Sequence, residues 1–105
     1  MITWIHTYRP RPDWYEATRQ TRDRLLASWD NAASVSIQSC ATRMGPLSIR
    51  GQSRQEHLEI WTFTDLEELE NHWTRLRKLG YTDWRESENT VATEIVRSRL
   101  TGPAH

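Results

Sequence analysis

Two histidines and one glutamate lie in segments whose composition is typical of β-strands. His6 lies in the β-branched and aromatic run 2–8, and His57 and Glu59 lie in the similar run 56–63. Imidazole titrates near neutral pH and a neighbouring carboxylate fixes its tautomer, so a His–Glu pair suits general acid–base catalysis. Such polar groups rarely occupy the middle of an apolar strand face without a partner. We therefore interpret His6, Glu59 and His57 as the candidate catalytic residues, with His6 as the principal proton-transfer group.

Strand alternation places aromatic residues on the same faces as these polar groups, because successive side chains of a strand point to opposite sides. The candidate substrate-binding residues are therefore Trp4, Tyr8, Trp61 and Phe63. The opposite faces of the two strands are aliphatic, with Ile5, Leu58 and Ile60. We expect the aliphatic faces to pack beneath the helices, which leaves an aromatic-lined pocket on the other face of the sheet.

Other interpretations of the aromatic face stay open. The rings can form a dimer core, with Glu59 paired to Arg97 or Arg99. If the aliphatic faces are not the packed ones, the cavity lies between the sheet and the helices. The better candidates in that case are Tyr15, Trp29, Trp73 and Trp84. Two histidines and a carboxylate also resemble a facial metal triad, but the ligands lack a diagnostic spacing, so we predict no metal and no cofactor.

Hydrophobic periodicity predicts six elements that position these residues. Strands are predicted over residues 2–8, 33–42, 56–63 and 90–100, and helices over residues 13–29 and 65–79. The order β-α-β-β-α-β predicts an α+β ferredoxin-like plait, with a four-stranded antiparallel sheet and two helices on one face. We expect one domain over residues 1–100 and a flexible tail over 101–105.

Charge and cysteine content argue against several classes of protein. Fourteen basic residues balance fourteen acidic ones, so the chain lacks the basic excess of most nucleic-acid-binding domains. Cys40 is the single cysteine and cannot form an internal disulfide. No apolar run approaches the roughly 20 residues needed to cross a bilayer, and no secretory signal is visible. We predict a cytoplasmic protein without a nucleic-acid or membrane partner.

Six tryptophans occur in a chain that is only 36% hydrophobic. Each large ring buries much surface, so this composition is typical of a domain that completes its burial in an oligomer. A plait leaves one sheet face open, and an apolar open face needs a cover. We therefore predict a homodimer joined through the open sheet face.

Residues 56–68, EHLEIWTFTDLEE, combine a hydrophobic strand, a Trp-x-aromatic motif, a short turn and a Leu-Glu helix. Four shorter motifs accompany this segment: Thr7-Tyr8 before prolines, Gly45-Pro46-Leu47, Asp83-Trp84 and Glu88-Asn89-Thr90. Together they resemble NIPSNAP-type domains. The glycine that commonly follows the first strand in that family is replaced here by Pro10-Arg11-Pro12, so the start of the helix and the mouth of the pocket are expected to differ.

The resemblance implies the dimeric α/β barrel superfamily, in which two plaits join sheet to sheet. That superfamily includes cofactor-independent monooxygenases, cyclases and dehydratases, so it implies a fold and a dimer more than a reaction. With the candidate pocket, it favours a cofactor-independent cyclase, isomerase or monooxygenase of secondary metabolism that acts on an aromatic or polyketide-like metabolite. The alternative is a non-catalytic dimeric protein for ligand binding or assembly.

Overall fold

The structure, a computed structural model, describes residues 1–95 of the chain. Its elements are β1 (Ile2–Pro10), α1 (Pro12–Glu16), α2 (Arg19–Gln38), β2 (Thr42–Ser48), β3 (His57–Phe63), α3 (Leu66–Lys78), α4 (Tyr81–Trp84) and β4 (Arg85–Thr93). The strands form one antiparallel sheet in the order β2-β3-β1-β4, and the helices pack on one of its faces. The predicted ferredoxin-like α+β plait is confirmed. The predicted tail, 101–105, lies outside the described residues.

The second predicted helix is confirmed as α3. The Asp65 carboxylate caps it by accepting a hydrogen bond of 2.9 Å from Glu68 N. Acidic residues occupy its first turn and basic residues its last, which complements the helix dipole. Gly80 then has φ +77°, the left-handed conformation that glycine adopts without strain. Leu69 and Leu76 are buried, so the predicted apolar stripe faces the core.

The first predicted helix, residues 13–29, begins within one residue of its predicted start, but it is interrupted and its predicted end is wrong. Ala17 has extended backbone, which separates α1 from α2, and the Thr18 hydroxyl caps α2 by accepting from Thr21 N at 3.2 Å. α2 then continues to Gln38, beyond the predicted end. The strand predicted over residues 33–42 is therefore also wrong, because residues 33–38 are helical.

Small residues explain the length of α2. Ala33 and Ser36 are buried at helical spacing after Trp29, where their size permits close packing on α3. The alternation that predicted a strand came from Val35 and Ile37, and both side chains are exposed on the outer side of α2 (40% and 47%). Although α2 has 20 residues, no helix within residues 1–95 is long and apolar enough to span a membrane.

The second strand, β2, forms in the segment predicted as a long connection. It is the edge strand beside β3, and all of its residues are exposed. One extra residue between Met44 and Leu47 makes a β-bulge. Gly45 in the bulge has φ +105°, and a Cβ there would lie 2.7 Å from the carbonyl oxygen of Leu58. The bulge therefore requires glycine at this position.

The fourth strand begins earlier than predicted. β4 spans Arg85–Thr93 instead of residues 90–100, and it pairs with β1 from end to end. The segment predicted as a connection, residues 81–89, instead forms the single turn of α4 and the first half of β4. Residues 96–100 of the predicted strand lie outside the described part of the chain.

The alternation predicted for β1 and β3 is confirmed, but the predicted packing direction is wrong. Trp4 and Trp61 are buried beneath the helices, where both rings contact His72 of α3. The predicted core residues of these strands stay partly exposed on the open face: Ile5, Leu58 and Ile60. Aromatic rings bury more surface than aliphatic side chains, so the fold places the aromatic face against the helices.

Candidate functional site

A cavity of about 240 Å³ lies between the sheet and the helices. Its lining comes from all four strands and from α2, α3 and α4. Five predicted site residues line it: Trp4, His6, Tyr8, Glu59 and Trp61. The cavity thus lies on the helix-covered face, as in the alternative interpretation of the sequence, and not on the open face.

Two predicted site residues do not line this cavity. Phe63 is buried in the core, stacked on Trp61 with ring centroids 5.6 Å apart. His57 is partly exposed and packs against Tyr8 at 5.2 Å. Strand alternation correctly placed both residues on the same face as the other predicted site residues. The cavity does not extend along the full length of the strands, so these two residues lie outside it.

The alternative aromatic candidates are also divided. Trp29 of α2 lines the cavity. Trp73 and Trp84 are partly buried beside the core, and Trp84 packs on Trp14. Tyr15 is exposed (63%) and lies at the surface of α1. Of the four, Trp29 is therefore the one placed to contact a ligand in this cavity.

His6 is fully buried, and both of its ring nitrogens are hydrogen bonded. Nδ1 lies 2.6 Å from Asn89 Oδ1, and Nε2 lies 2.6 Å from the Tyr81 hydroxyl. An amide oxygen can only accept, so Nδ1 carries the proton and the Nε2 lone pair accepts from the phenol. Burial lowers the pKa of His6 from 6.5 to about 4. At neutral pH the structure therefore holds an uncharged imidazole with its basic nitrogen directed at Tyr81.

Glu59 does not contact His6, although the two residues stand opposite each other in the β1–β3 register. Its carboxylate accepts hydrogen bonds from Tyr8 OH at 2.6 Å, Arg43 Nε at 2.8 Å and Trp61 Nε1 at 3.0 Å. Burial acts to raise the pKa of Glu59, but these hydrogen bonds and the charge of Arg43 outweigh burial and lower it. The predicted His–Glu pair is therefore not formed.

Tyr8 and Arg43 keep their protons in this arrangement. Burial, followed by the charge of Glu59, raises the pKa of the Tyr8 phenol well above its usual range. For Arg43, burial acts to lower the pKa, but the carboxylate of Glu59 outweighs burial and raises it. The Glu59 carboxylate therefore stays paired with donors at every pH near neutrality.

Tyr81 and Arg85 line the cavity but were missed by the sequence analysis. Tyr81 OH, which donates to His6, also accepts from an Arg85 terminal nitrogen at 3.3 Å. Burial raises the pKa of Tyr81 to about 12, although the charge of Arg85 acts to lower it. The Arg85 guanidinium carbon lies 4.6 Å from the ring centroid of Tyr8, 4.7 Å from Trp29 and 5.1 Å from Tyr81. Arg85 is thus held among three rings.

The sequence carried a partial signal for these two residues. Tyr81 directly follows Gly80, next to the predicted end of a helix. If the start of β4 at Arg85 had been predicted, strand alternation would have shown which face of the sheet Arg85 occupies. Because residues 81–89 were predicted to form a connection, neither Tyr81 nor Arg85 was assigned to the site. His72 of α3 is fully buried, lines the cavity and shares a 2.6 Å hydrogen bond with Ser36 Oγ.

The chemistry available in the cavity is proton transfer and hydrogen bonding to oxygen. Across residues 1–95, no group of three His, Cys, Asp or Glu side chains is placed to hold a metal ion. The polar groups that line the cavity are two uncharged imidazoles, two phenols, two guanidinium groups and two carboxylates, placed among aromatic walls. Such a set can bind a planar ligand, accept a proton from it and stabilise negative charge on one of its oxygens.

Comparison with known proteins identifies the fold. No family model and no curated protein sequence matches the chain. Among solved structures, a chlorite dismutase-type protein, TA0507, superposes with a TM-score of 0.72 at 14% identity over 96% of this chain. A point variant of chlorite dismutase from Candidatus Nitrospira defluvii gives a TM-score of 0.74 at 12% identity over 94%. The protein At3g17210 from Arabidopsis thaliana gives 0.59 at 8% identity over 91%.

The extent of these matches differs. The chain spans about half of the first two structures, 47% and 42% of their lengths, and 97% of the third. The superposed parts of these proteins share the ferredoxin-like plait described above. At these identities the similarity shows the fold alone.

Proposed function

We propose that this protein is a cofactor-independent small-molecule enzyme of the cyclase, isomerase or monooxygenase type. Its substrate in this proposal is an aromatic or polyketide-like metabolite. The observation that carries the proposal is the chain of contacts from Asn89 through His6 to Tyr81, which ends in an aromatic cavity. The NIPSNAP-like motifs agree with this proposal, but the argument rests on the site, because one fold hosts many functions.

The walls of the cavity support a planar substrate. Rings of Trp4, Trp29, Trp61, Tyr8 and Tyr81 line it, and such surfaces stack on flat, conjugated molecules. A cavity of about 240 Å³ is at the small end for ligand sites, so it suits a molecule of one or two fused rings. A short polyketide-like chain that folds toward a ring would also fit a cavity of this size.

In the proposed reaction, His6 is the proton-transfer group. Nε2 accepts a proton from a carbon or hydroxyl of the substrate and later returns it to another substrate atom, while Asn89 keeps Nδ1–H in place. Tyr81 turns its hydroxyl from Nε2 to a substrate oxygen, where Arg85 is close enough to share the developing charge. Burial disfavours the imidazolium, so negative charge on the substrate must stabilise it.

A specific observation favours the second candidate, a non-catalytic ligand-binding or assembly protein. His6 is 1% exposed and both ring nitrogens have partners, which is also the state of a structural histidine. His72 is equally buried and bonds to Ser36. Turnover separates the two candidates, because a binding protein retains its ligand unchanged.

The test incubates the protein with a panel of aromatic and polyketide-like metabolites and follows product formation by mass spectrometry. We expect His6→Gln to lose at least about a hundredfold in turnover, the usual contribution of a general base, while tryptophan fluorescence still reports binding. His57→Gln is the matched comparison, because this histidine lies outside the cavity, and it should keep most of the activity. Equal losses in both variants would contradict the role of His6. Binding without turnover in the wild type would favour the second candidate.

We also propose a homodimer joined through the open sheet face. Ile5 and Ile60 are partly exposed there, and Met44 and Leu47 on the same face are 57% and 45% exposed. A second copy of this face would cover the apolar patch. Light scattering should report twice the mass of one chain, and Ile60→Glu should give a monomer. Ile37→Glu, at an exposed isoleucine of α2, should leave the dimer intact. A monomeric wild type would overturn this proposal.

A further inference from the structure

We infer that the ligand of the cavity carries an anionic oxygen, for which the guanidinium groups of Arg43 and Arg85 supply hydrogen-bond donors. This inference rests on the proposed function, because it names the charge class of the ligand at that same site. Arg43 belongs to β2 and Arg85 to β4, the two edge strands of the sheet, and both side chains line the cavity. The central strands, with Glu59 and His6, lie between them.

The strand register places both arginines on the helix-covered face. Arg43 pairs with Trp61, and Arg85 pairs with Pro10, whose parity is that of His6. The positive charges of both arginines act to lower the pKa of His6, so both guanidinium groups lie within electrostatic reach of that ring. The charge of an anion bound to these donors would therefore also act on His6.

Hydrogen-bond donors remain available on both arginines. Glu59 occupies Nε of Arg43, and Tyr81 receives one hydrogen bond from Arg85, at 3.3 Å. Among the described residues no other protein acceptor contacts either guanidinium group. Each guanidinium group carries five N–H donors. A carboxylate or another anionic oxygen is the acceptor that a planar guanidinium fork matches best.

The three rings around Arg85 favour a fixed orientation of its donors. The Arg85 guanidinium carbon lies 4.6 to 5.1 Å from the ring centroids of Tyr8, Trp29 and Tyr81, and this packing restricts the side chain. The N–H donors of a guanidinium group keep a fixed planar geometry. Arg85 is thus preorganised to donate to a ligand, at little further cost in side-chain entropy.

Two cations that line the cavity, Arg43 and Arg85, face one buried carboxylate, Glu59, which pairs with Arg43, so one positive charge is left in excess. Glu59 is saturated by three donors, and Asp30 is exposed at the rim, where solvent screens its charge. His6 and His72 are uncharged at neutral pH, since burial lowers each pKa to about 4. An anionic ligand, such as a carboxylate, enolate or phenolate, balances the excess. Its charge would also raise the pKa of His6 and so help Nε2 to hold a proton.

The test compares 2-naphthoate with 2-naphthamide, which share a shape and differ in charge, by isothermal titration calorimetry. We expect the wild type to bind naphthoate at least about tenfold more tightly, the ratio that one charge-assisted hydrogen bond supplies. Arg85→Met and Arg43→Met should each shrink that ratio. Arg77→Met is the matched control, because Arg77 is exposed on α3, and it should keep the ratio.

Equal affinities in the wild type, or an unchanged ratio in both cavity variants, would overturn the inference. If circular dichroism shows that a cavity variant does not fold, the wild type decides, because its preference for naphthoate must weaken as salt is raised. Failure of the proposed function gives a different result. A naphthoate preference without turnover of any metabolite supports the anion site and contradicts the enzyme. Turnover of a neutral metabolite that depends on His6, without a naphthoate preference, supports the enzyme and contradicts the anion site.

Discussion

Two polar centres lie side by side in the floor of the cavity, and they differ in what they leave free. Glu59 of β3 accepts three hydrogen bonds, one of them from the cation Arg43. The ring nitrogens of His6 in β1 form hydrogen bonds with the uncharged side chains of Asn89 and Tyr81. The first centre is charged, saturated and ties the edge strand β2 to the sheet. The second holds an uncharged base next to donors that a ligand can use. Two residues that are paired across neighbouring strands, such as His6 and Glu59, can therefore have different roles.

The largest effect is expected from Glu59→Gln. The change removes the charge that compensates Arg43 and weakens its contact with β2, so the free energy of unfolding should fall by about 3 kcal/mol. Urea denaturation followed by tryptophan fluorescence measures it. Glu67→Gln, an exposed residue in the first turn of α3, should change stability by less than about 0.5 kcal/mol. Similar small losses in both variants would show that Glu59 is not a structural tie.

A loss of stability of comparable size is expected when the pH is lowered. The folded-state pKa of His6 is lowered from 6.5 to about 4, so between these values the unfolded chain binds the proton first. Stability should therefore be full above pH 6.5 and fall as the pH decreases toward 4, by up to roughly 3 kcal/mol for one such histidine. His72 adds a loss of the same sign, since its pKa is also lowered to about 4. Glu59 adds a loss only below its ordinary pKa of 4.5.

The variant that isolates this effect is His6→Gln. Its stability should fall less than that of the wild type across the same pH range, because the titration of His72 then acts alone. Urea denaturation at a series of pH values gives both curves. A slope unchanged by the substitution would mean that His6 does not supply the pH dependence.

The smallest effects compare the two phenols. Tyr8→Phe removes a hydrogen bond to a buried carboxylate and should cost about 2 kcal/mol. Tyr81→Phe removes a bond to an uncharged imidazole and a long bond of 3.3 Å from Arg85, and should cost about 1 kcal/mol. Both changes keep the ring, so the difference isolates the hydroxyl. Thermal and urea denaturation of the two variants check the order. The reverse order would contradict the contrast between a charged and an uncharged centre.

The sequence rules for helix ends and strand alternation correctly predicted the parts of the fold that depend on residues close together in the chain. Asp65 and Gly80 mark the ends of α3 through their own backbone geometry, and the structure has both. The alternation of β1 and β3 followed in the same way. The direction in which those strands pack depends on which side chains the helices present, and that is a tertiary property. Trp4 and Trp61 therefore lie on the side opposite to the one predicted.

The site was predictable only in part for the same reason. His6 and Glu59 were found because polar groups in apolar strands stand out, yet their partners could not be read from the register alone. Arg43 and Arg85 gave no signal, since arginine is common in this chain and both lie where the strand boundaries were wrong. Because the second strand was predicted over residues 33–42, its true position, β2 over Thr42–Ser48, was not predicted. Correct boundaries would have brought both arginines to the helix-covered face by parity.

The bulge in β2 has a consequence for how copies of this protein can associate. An edge strand exposes unpaired backbone groups that can recruit a strand from another molecule. At Gly45-Pro46 the extra residue interrupts the ladder, and proline has no N–H to donate. The bulge therefore interrupts the row of backbone groups that another strand could pair with at the β2 edge, and it disfavours edge-to-edge association there.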